Sequence, residues 1–147
     1  MNLLSRRGYL ALAAVADIAI HARAAPVAAK ALAARLNLPP RHLEGLLQDL
    51  VHANILKSVR GPRGGYELAR ERRRITAASI LRSVSEDDGA EETGNCRLIT
   101  EVVAPIVDAA GRAFLNALDT ITLDDICRRA EGLKLYEERI PGPDFAI

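Results

Sequence analysis

The residues best placed to do chemistry are Arg60-Gly61-Pro62-Arg63-Gly64-Gly65-Tyr66, two guanidiniums set among three glycines and a proline. Glycine and proline make tight turns, and an arginine carried at such a tip can enter a minor groove or pair with a phosphate. A purely structural turn needs one or two glycines, so this density of Arg and Gly points to contact with a polyanion. Other cations precede it in the chain: Arg6, Arg7, Lys30, Arg41 and Lys57. They would supply the salt-dependent, sequence-independent part of binding to a nucleic acid. Thiol chemistry is sparse. Cys96 and Cys127, 31 positions apart, make neither a disulfide framework nor a structural zinc site. His21, His42 and His52 all lie in the first half of the chain, far in sequence from Cys96. No nucleophile–base pair, nucleotide loop or metal cluster can be picked out. The glycines at the tip lack the following helix and lysine of a phosphate-binding loop. An enzyme, a cofactor and a metal site are therefore not expected.

The elements that must carry these residues can be read from their periodicity. Tyr9 to His21 is an Ala/Leu-rich helix with Leu10, Ala13, Ala14, Asp17 and Ile18 at helical spacing and Ser5 as its N-cap. Val27 to Leu36 is a short amphipathic helix, with Val27, Ala31, Ala34 and Leu36 near one side and Lys30 and Arg35 near the other. Asn37-Leu38-Pro39-Pro40 is a turn. Arg41 to Asn54 is a third helix, whose Leu43, Leu46, Leu47, Leu50 and Val51 form one apolar stripe. That stripe leaves Arg41, His42, Glu44, Gly45 and Gln48 facing outward. The period then changes to a loose alternation over Ile55 to Arg60 and again over Tyr66 to Ala69, which with the Gly-rich turn reads as a β-hairpin. Thr76 to Val84 is a helix that Thr76 caps. Ser85 to Asn95 is an acidic loop. Val102 to Leu118 is a longer helix with Val103, Ile106, Val107, Ala110, Phe114, Leu115 and Leu118 close to a heptad stripe, and Pro105 either opens it or kinks it. Thr122 caps a last helix that carries Asp124 and Asp125 in its first turn. The tail from Gly132 is expected to be irregular.

Helix, turn, helix and glycine-tipped hairpin in that order spell a winged helix-turn-helix, mainly α with a small β-hairpin wing. In such a unit the polar face of the second helix of the pair can enter a major groove. The charge distribution agrees. Residues 1–85 hold 14 Lys/Arg against 5 Asp/Glu, a balance of +9, whereas residues 86–147 hold 6 against 14, a balance of −8. A basic half suits a polyanion and leaves the acidic half for something else. The chain of 147 residues is 49% hydrophobic, 27% charged and only 3% aromatic, a composition suited to packed helices rather than a sandwich or barrel. Its longest apolar runs, such as Leu10 to Ala16, fall well short of the roughly 20 residues of a membrane span. The start of the chain faintly resembles a signal peptide, but Asp17 and His21 interrupt it and no clear small-residue cleavage site follows. A cytoplasmic location without membrane association is expected. The divisions read from these features are a DNA-binding domain over 1–85, an acidic loop or linker over 86–101, a long helix and short helix over 102–131, and an irregular tail over 132–147.

The stretch Ser58-Val59-Arg60-Gly61-Pro62-Arg63-Gly64-Gly65-Tyr66-Glu67-Leu68-Ala69-Arg70 resembles the wing of a bacterial repressor family, the Rrf2 family, with its IscR-like and NsrR-like iron–sulfur and nitric-oxide sensors. Ser5-Arg6-Arg7-Gly8-Tyr9 resembles that family's first helix, Leu43-Glu44-Gly45-Leu46-Leu47 its recognition helix, and Phe114-Leu115 with Ile121 to Ile126 the end of its dimerisation helix and the short helix after it. The resemblance implies a homodimer whose long helices cross, bound to a roughly palindromic operator in double-stranded DNA. It implies that Glu44 helps to read a base, as suits a carboxylate accepting from cytosine's amino group. It also implies that Arg60 and the glycine-rich tip, Gly64 included, lie in or near a minor groove. Val103, Ile106, Val107, Ala110, Phe114 and Leu118 would then form the dimer interface, the long helix being a dimerisation helix and 86–101 a sensor loop.

Two departures from the family pattern stand out. Pro39-Pro40-Arg41 replaces the polar residues usual at the entry to the recognition helix, so a side-chain cap is lost there. Cluster-binding relatives carry three cysteines before the dimerisation helix. Here Cys96 stands alone in that stretch, and Cys127 reads as a small buried hydrophobe. Regulation by a small molecule or protein acting on the acidic half is the expectation. The alternatives are an iron–sulfur or redox sensor using Cys96 with carboxylates (Asp87, Glu91, Glu92 or Glu101) or with groups from a second subunit, and an adaptor that keeps the fold without binding DNA.

Overall fold

A computed structural model describes residues 4–84 and 96–135. Ten short elements build it, and local chemistry sets most of their ends. Helix α1 (Arg6–His21) starts at Ser5, whose hydroxyl accepts from the Gly8 N–H at 3.2 Å. Helix α2 (Ala29–Arg35) and helix α3 (Arg41–His52) both end on an asparagine in the left-handed region, Asn37 at φ 55° and Asn54 at φ 59°. In each case the next N–H turns back onto the helix: Leu38 donates to the Ala33 carbonyl at 2.9 Å and Ile55 to that of Leu50 at 3.0 Å. This satisfies carbonyls that a helix end leaves unpaired. The entry to α3 is different. Pro40 occupies the cap position and no side chain caps the helix, as the proline pair foretold.

The wing follows. Strands β1 (Leu56–Val59) and β2 (Gly65–Leu68) pair antiparallel, Leu56 opposite Leu68 and Val59 opposite Gly65. Its three glycines are all required by backbone geometry. Gly61 has φ 118°, a Cβ on Gly64 would sit 2.3 Å from the Val59 carbonyl, and one on Gly65 would sit 2.2 Å from that of Val27. The expectation that a structural hairpin needs fewer glycines is thus corrected: the fold itself uses every one. The last contact arises because Val27 joins the sheet as a bridge, its N–H and carbonyl exchanging bonds of 2.9 and 2.8 Å with Tyr66. Val27 therefore belongs to the sheet and not to α2. The buried residues of α2 are Leu32 and Ala33, while Ala34 lies exposed, so the apolar side expected of this helix is also corrected. The same holds for α1, where Ala13 is exposed and the buried stripe runs through Ala11, Ala14, Val15 and Ile18. A helix apolar nearly all round offers several stripes, and packing chooses among them.

A single 3₁₀ turn (Arg72–Arg74) leads to α4 (Ala77–Ser83), which Thr76 and Ser79 close with reciprocal capping bonds. One π turn (Ile99–Val103) precedes α5 (Ala104–Asp119). Pro105 accounts for it: proline has no N–H and its ring crowds the carbonyl four residues back, so the bonding register widens just before it. Pro105 thus opens α5 and does not kink its middle. Helix α6 (Leu123–Gly132) begins with the same reciprocal capping, between Thr122 and Asp125. It is stitched to the start of α4 by two backbone bonds, Ala77 N–H to the Ile121 carbonyl at 2.8 Å and Leu123 N–H to that of Ile75 at 2.7 Å. Leu123 and Cys127 consequently complete the same core that α1, α3 and α4 build from Ile18, Leu43, Leu46, Leu47, Leu50 and Ile80. Helix α5 packs on α4 but contributes no buried residue.

Candidate nucleic-acid interface

Helix α3 divides cleanly. Leu43, Leu46, Leu47 and Leu50 are at most 1% exposed, which anchors the helix and fixes its rotation. Arg41, His42, Glu44, Gly45 and Gln48 consequently face solvent. Helix α2 and the Asn37–Pro40 turn brace it, and the wing springs from its carboxy-terminal end. At the wing tip Arg60, Gly61, Pro62 and Arg63 are exposed, while Gly64 is half-buried and donates its N–H to the Gly61 carbonyl at 2.9 Å. The guanidiniums are carried by a turn whose shape is set by backbone alone.

The cations expected at this surface separate into two groups. Among the described residues the side chains of Arg6, Lys30, Arg41, Arg60 and Arg63 meet no carboxylate and no hydrogen-bond acceptor. Arg7 and Lys57 are engaged. The Arg7 Nη2 lies 2.8 Å from Asp49 on the side of α3, and the Lys57 ammonium 3.0 Å from Glu67 across the hairpin. A neutralised cation offers less to a phosphate than an open one. Arg7 therefore acts first as a strut between α1 and α3. It passes beside Gly45, where an added Cβ would lie in ordinary contact with the guanidinium at 3.8 Å. Arg6, Arg7 and His42 do converge on one cleft of about 420 Å³, where the start of α1 meets the first turn of α3.

Several pairings were invisible to periodicity. The Asp17 carboxylate is fully buried and receives two nitrogens of Arg35, Nη2 at 2.8 Å and Nε at 2.9 Å. Arg35, placed by its spacing on the side of α2 opposite the apolar residues, reaches back to α1. A carboxylate within an apolar helix was the available signal, since a buried charge needs a partner. Arg23 and Arg72 meet Glu131 of α6 at 3.1 and 3.6 Å, closing α6 onto the end of α1.

The residues expected at a dimer interface fall on α5 and the turn before it. Val103, Ile106, Val107 and Ala110 are exposed, and Phe114 and Leu118 are half-buried. Leu98 and Val102 extend the same apolar surface. Cys96 is exposed, and its neighbour Arg97 is taken up by Glu101 through two contacts of 3.0 Å. Cys127 is fully buried, and that burial pushes its thiol above the ordinary range. Asp87, Glu91 and Glu92 lie outside the described residues. No helix among the described residues is long and apolar enough to cross a membrane.

A braced helix with an outward polar face beside a two-stranded hairpin defines a winged helix-turn-helix, a DNA-binding class. The chain belongs to the Rrf2 family of transcriptional regulators, whose model, described as an iron-dependent transcriptional regulator, matches residues 4–129. It is 28% identical over 143 residues to the HTH-type transcriptional regulator IscR of Vibrio atlanticus, covering 92% of this chain and 81% of that protein. Among solved structures it is similar to T. potens IscR, with a TM-score of 0.72 and 32% identity over 90% of this chain and 91% of the other. It is also similar to CymR, the global cysteine regulator of B. subtilis, with a TM-score of 0.64 and 30% identity over 88% and 98% of the two chains.

The family description raises the question of an iron–sulfur cluster, for which thiolates are the usual ligands. The chain has two cysteines, of which Cys127 lies sealed in the core. One accessible thiol per chain does not fit a cluster held by three cysteine thiolates. Among the described residues no three His, Cys, Asp or Glu side chains are grouped to hold a metal ion.

Proposed function

We propose that this protein is a homodimeric, sequence-specific repressor that binds a palindromic operator. The observation that carries this reading is the division of α3, with four leucines inward and Arg41, His42, Glu44 and Gln48 outward beside a wing tip bearing open Arg60 and Arg63. In it, α3 enters a major groove, where Glu44 accepts from a base amino group and Gln48 and Arg41 lie within reach of neighbouring edges and phosphates. Arg60, with Arg63 and the close-set Gly64 backbone, meets the adjoining minor groove. Arg6 and Lys30 add backbone neutralisation, with Arg7 and Lys57 contributing less because each already has a carboxylate. The exposed apolar stripe of α5 supports pairing with a second copy, which would place two reading faces on one duplex. Regulation is by a small molecule or a protein acting on the acidic half.

The test is selection of preferred DNA from a random pool, followed by filter binding across a salt series. Wild type should enrich a two-fold symmetric sequence. Arg60→Ala should weaken binding to it by about 1–3 kcal/mol without changing the melting temperature. Absence of enrichment would favour an adaptor that has left DNA binding behind. Visible absorption bands with stoichiometric iron after anaerobic purification would instead support the iron-sensing reading that the family description favours.

A further inference from the structure

Helix α2 is poorly held for an element on which the recognition helix depends. It has seven residues, no side-chain cap at Ala28, and only Leu32 and Ala33 buried. Such a helix is too short to be stable by itself, so its placement comes from what grips its two ends. One end is gripped by the wing, through the paired backbone bonds between Val27 and Tyr66 on β2. The other end is gripped by α1. Arg35, its last residue, forks onto the Asp17 carboxylate with contacts of 2.8, 2.9 and 3.2 Å, and His21 Nδ1 stands 3.5 Å from the same carboxylate. Two residues after Arg35 the chain turns through Asn37 toward α3. Any rotation of α2 is therefore passed to the wing at one end and to the recognition helix at the other.

We infer that Asp17 and Arg35 are positioning residues for DNA recognition: their two-pronged pairing fixes the pose of α3 and the wing relative to one another. This inference rests on the DNA-binding reading above. An apolar contact in the same place would hold α2 against α1 but would let it slide, because burial has no direction. A guanidinium fork on a carboxylate fixes both distance and plane. Neither residue touches DNA in this account. Their effect appears where geometry matters, in discrimination between the operator and other sequences, and not in the general attraction of cations to phosphate.

The experiment separates positioning from stability. Replacing a buried ion pair by apolar residues is often neutral or stabilising, so Asp17→Leu/Arg35→Met keeps the core filled while removing the directional link. Arg35→Lys keeps the charge pair but not the fork, and serves if the double variant fails to fold. Each is measured by thermal melting, by affinity for the selected operator and by affinity for unrelated duplex DNA at the same salt. The expected result is a melting temperature close to wild type, operator affinity reduced by about tenfold, and affinity for unrelated DNA unchanged within about twofold. Folded variants that bind the operator like wild type overturn the inference, as do variants that lose affinity for both DNAs in equal measure. If wild type itself selects no sequence, the DNA-binding reading fails instead, and the two failures are not confused.

Discussion

Helices α1 and α5 have 16 residues each and are both dominated by apolar side chains, yet they meet opposite fates. Seven residues of α1 are buried, Ala11, Ala14, Val15 and Ile18 among them, whereas α5 buries none. The difference is in what surrounds them. Helix α1 is enclosed by α2, β2, α4 and α6, while α5 has α4 on one side and the π turn continuing from its start. An amphipathic helix whose apolar stripe stays in solvent lacks the burial that ordinarily stabilises it. The proposed dimer rests on this surface, which a second copy would cover.

Substitutions that exchange the two fates test that contrast. Ile18→Ala removes a fully buried side chain and should cost about 2–5 kcal/mol in unfolding free energy, measured by urea titration. A loss under ~1 kcal/mol would mean that α1 is not the centre of the core. Ile106→Asp changes a residue that is 64% exposed in the single chain. It should yield a monomer in sedimentation and reduce operator affinity by about 100-fold through loss of the second half-site. A variant that remains dimeric would place the interface elsewhere.

The two thiols extend the same comparison. Cys96 at the approach to α5 should react with a thiol reagent in the folded protein, while Cys127 in the core should react only after unfolding. Burial raises the Cys127 thiol, so the folded state retains its proton where the unfolded chain gives it up. Stability is unaffected by this group below the ordinary thiol range and declines as pH rises above it, toward the higher folded value. Cys127→Ala, which lacks a titrating group there, should flatten that alkaline decline in a melting series. Glycines give the smallest effect. A Cβ on Gly8 would meet Leu81 at 3.2 Å, but one on Gly111 would meet nothing within 4 Å. In the monomeric Ile106→Asp background Gly111→Ala should therefore raise stability by about 0.5–1 kcal/mol, whereas Gly8→Ala should not. Destabilisation by Gly111→Ala in the wild-type background alone would show that a partner fills that space.

What the sequence disclosed follows from the range of the forces involved. Ser5, Thr76 and Thr122 were legible as caps because each bonds an N–H three residues away. The leucine stripe of α3 and the outward set from Arg41 to Gln48 were legible because one helical period relates them. The pairings that assemble the site were not. Asp17 meets Arg35 18 positions on, Arg7 meets Asp49 42 positions on, and Arg23 meets Glu131 108 positions on. Periodicity carries no record of such distances. Helix α6 shows the same limit: its cap is readable, but its packing against α1 is not. The wing glycines were read for function and turned out to be needed by the turn itself, which leaves Arg60 and Arg63 as the residues whose presence the fold does not require.

In the proposed complex two copies of α3 and its wing read one duplex in register. Hydroxyl-radical footprinting on the selected sequence measures this directly. It should show protection related by two-fold symmetry, with half-site centres about one helical turn, ~34–36 Å, or a whole multiple of it apart. Arg60→Ala should lose minor-groove protection in both halves equally. A single unsymmetrical patch, or protection that Arg60→Ala leaves intact, would contradict it.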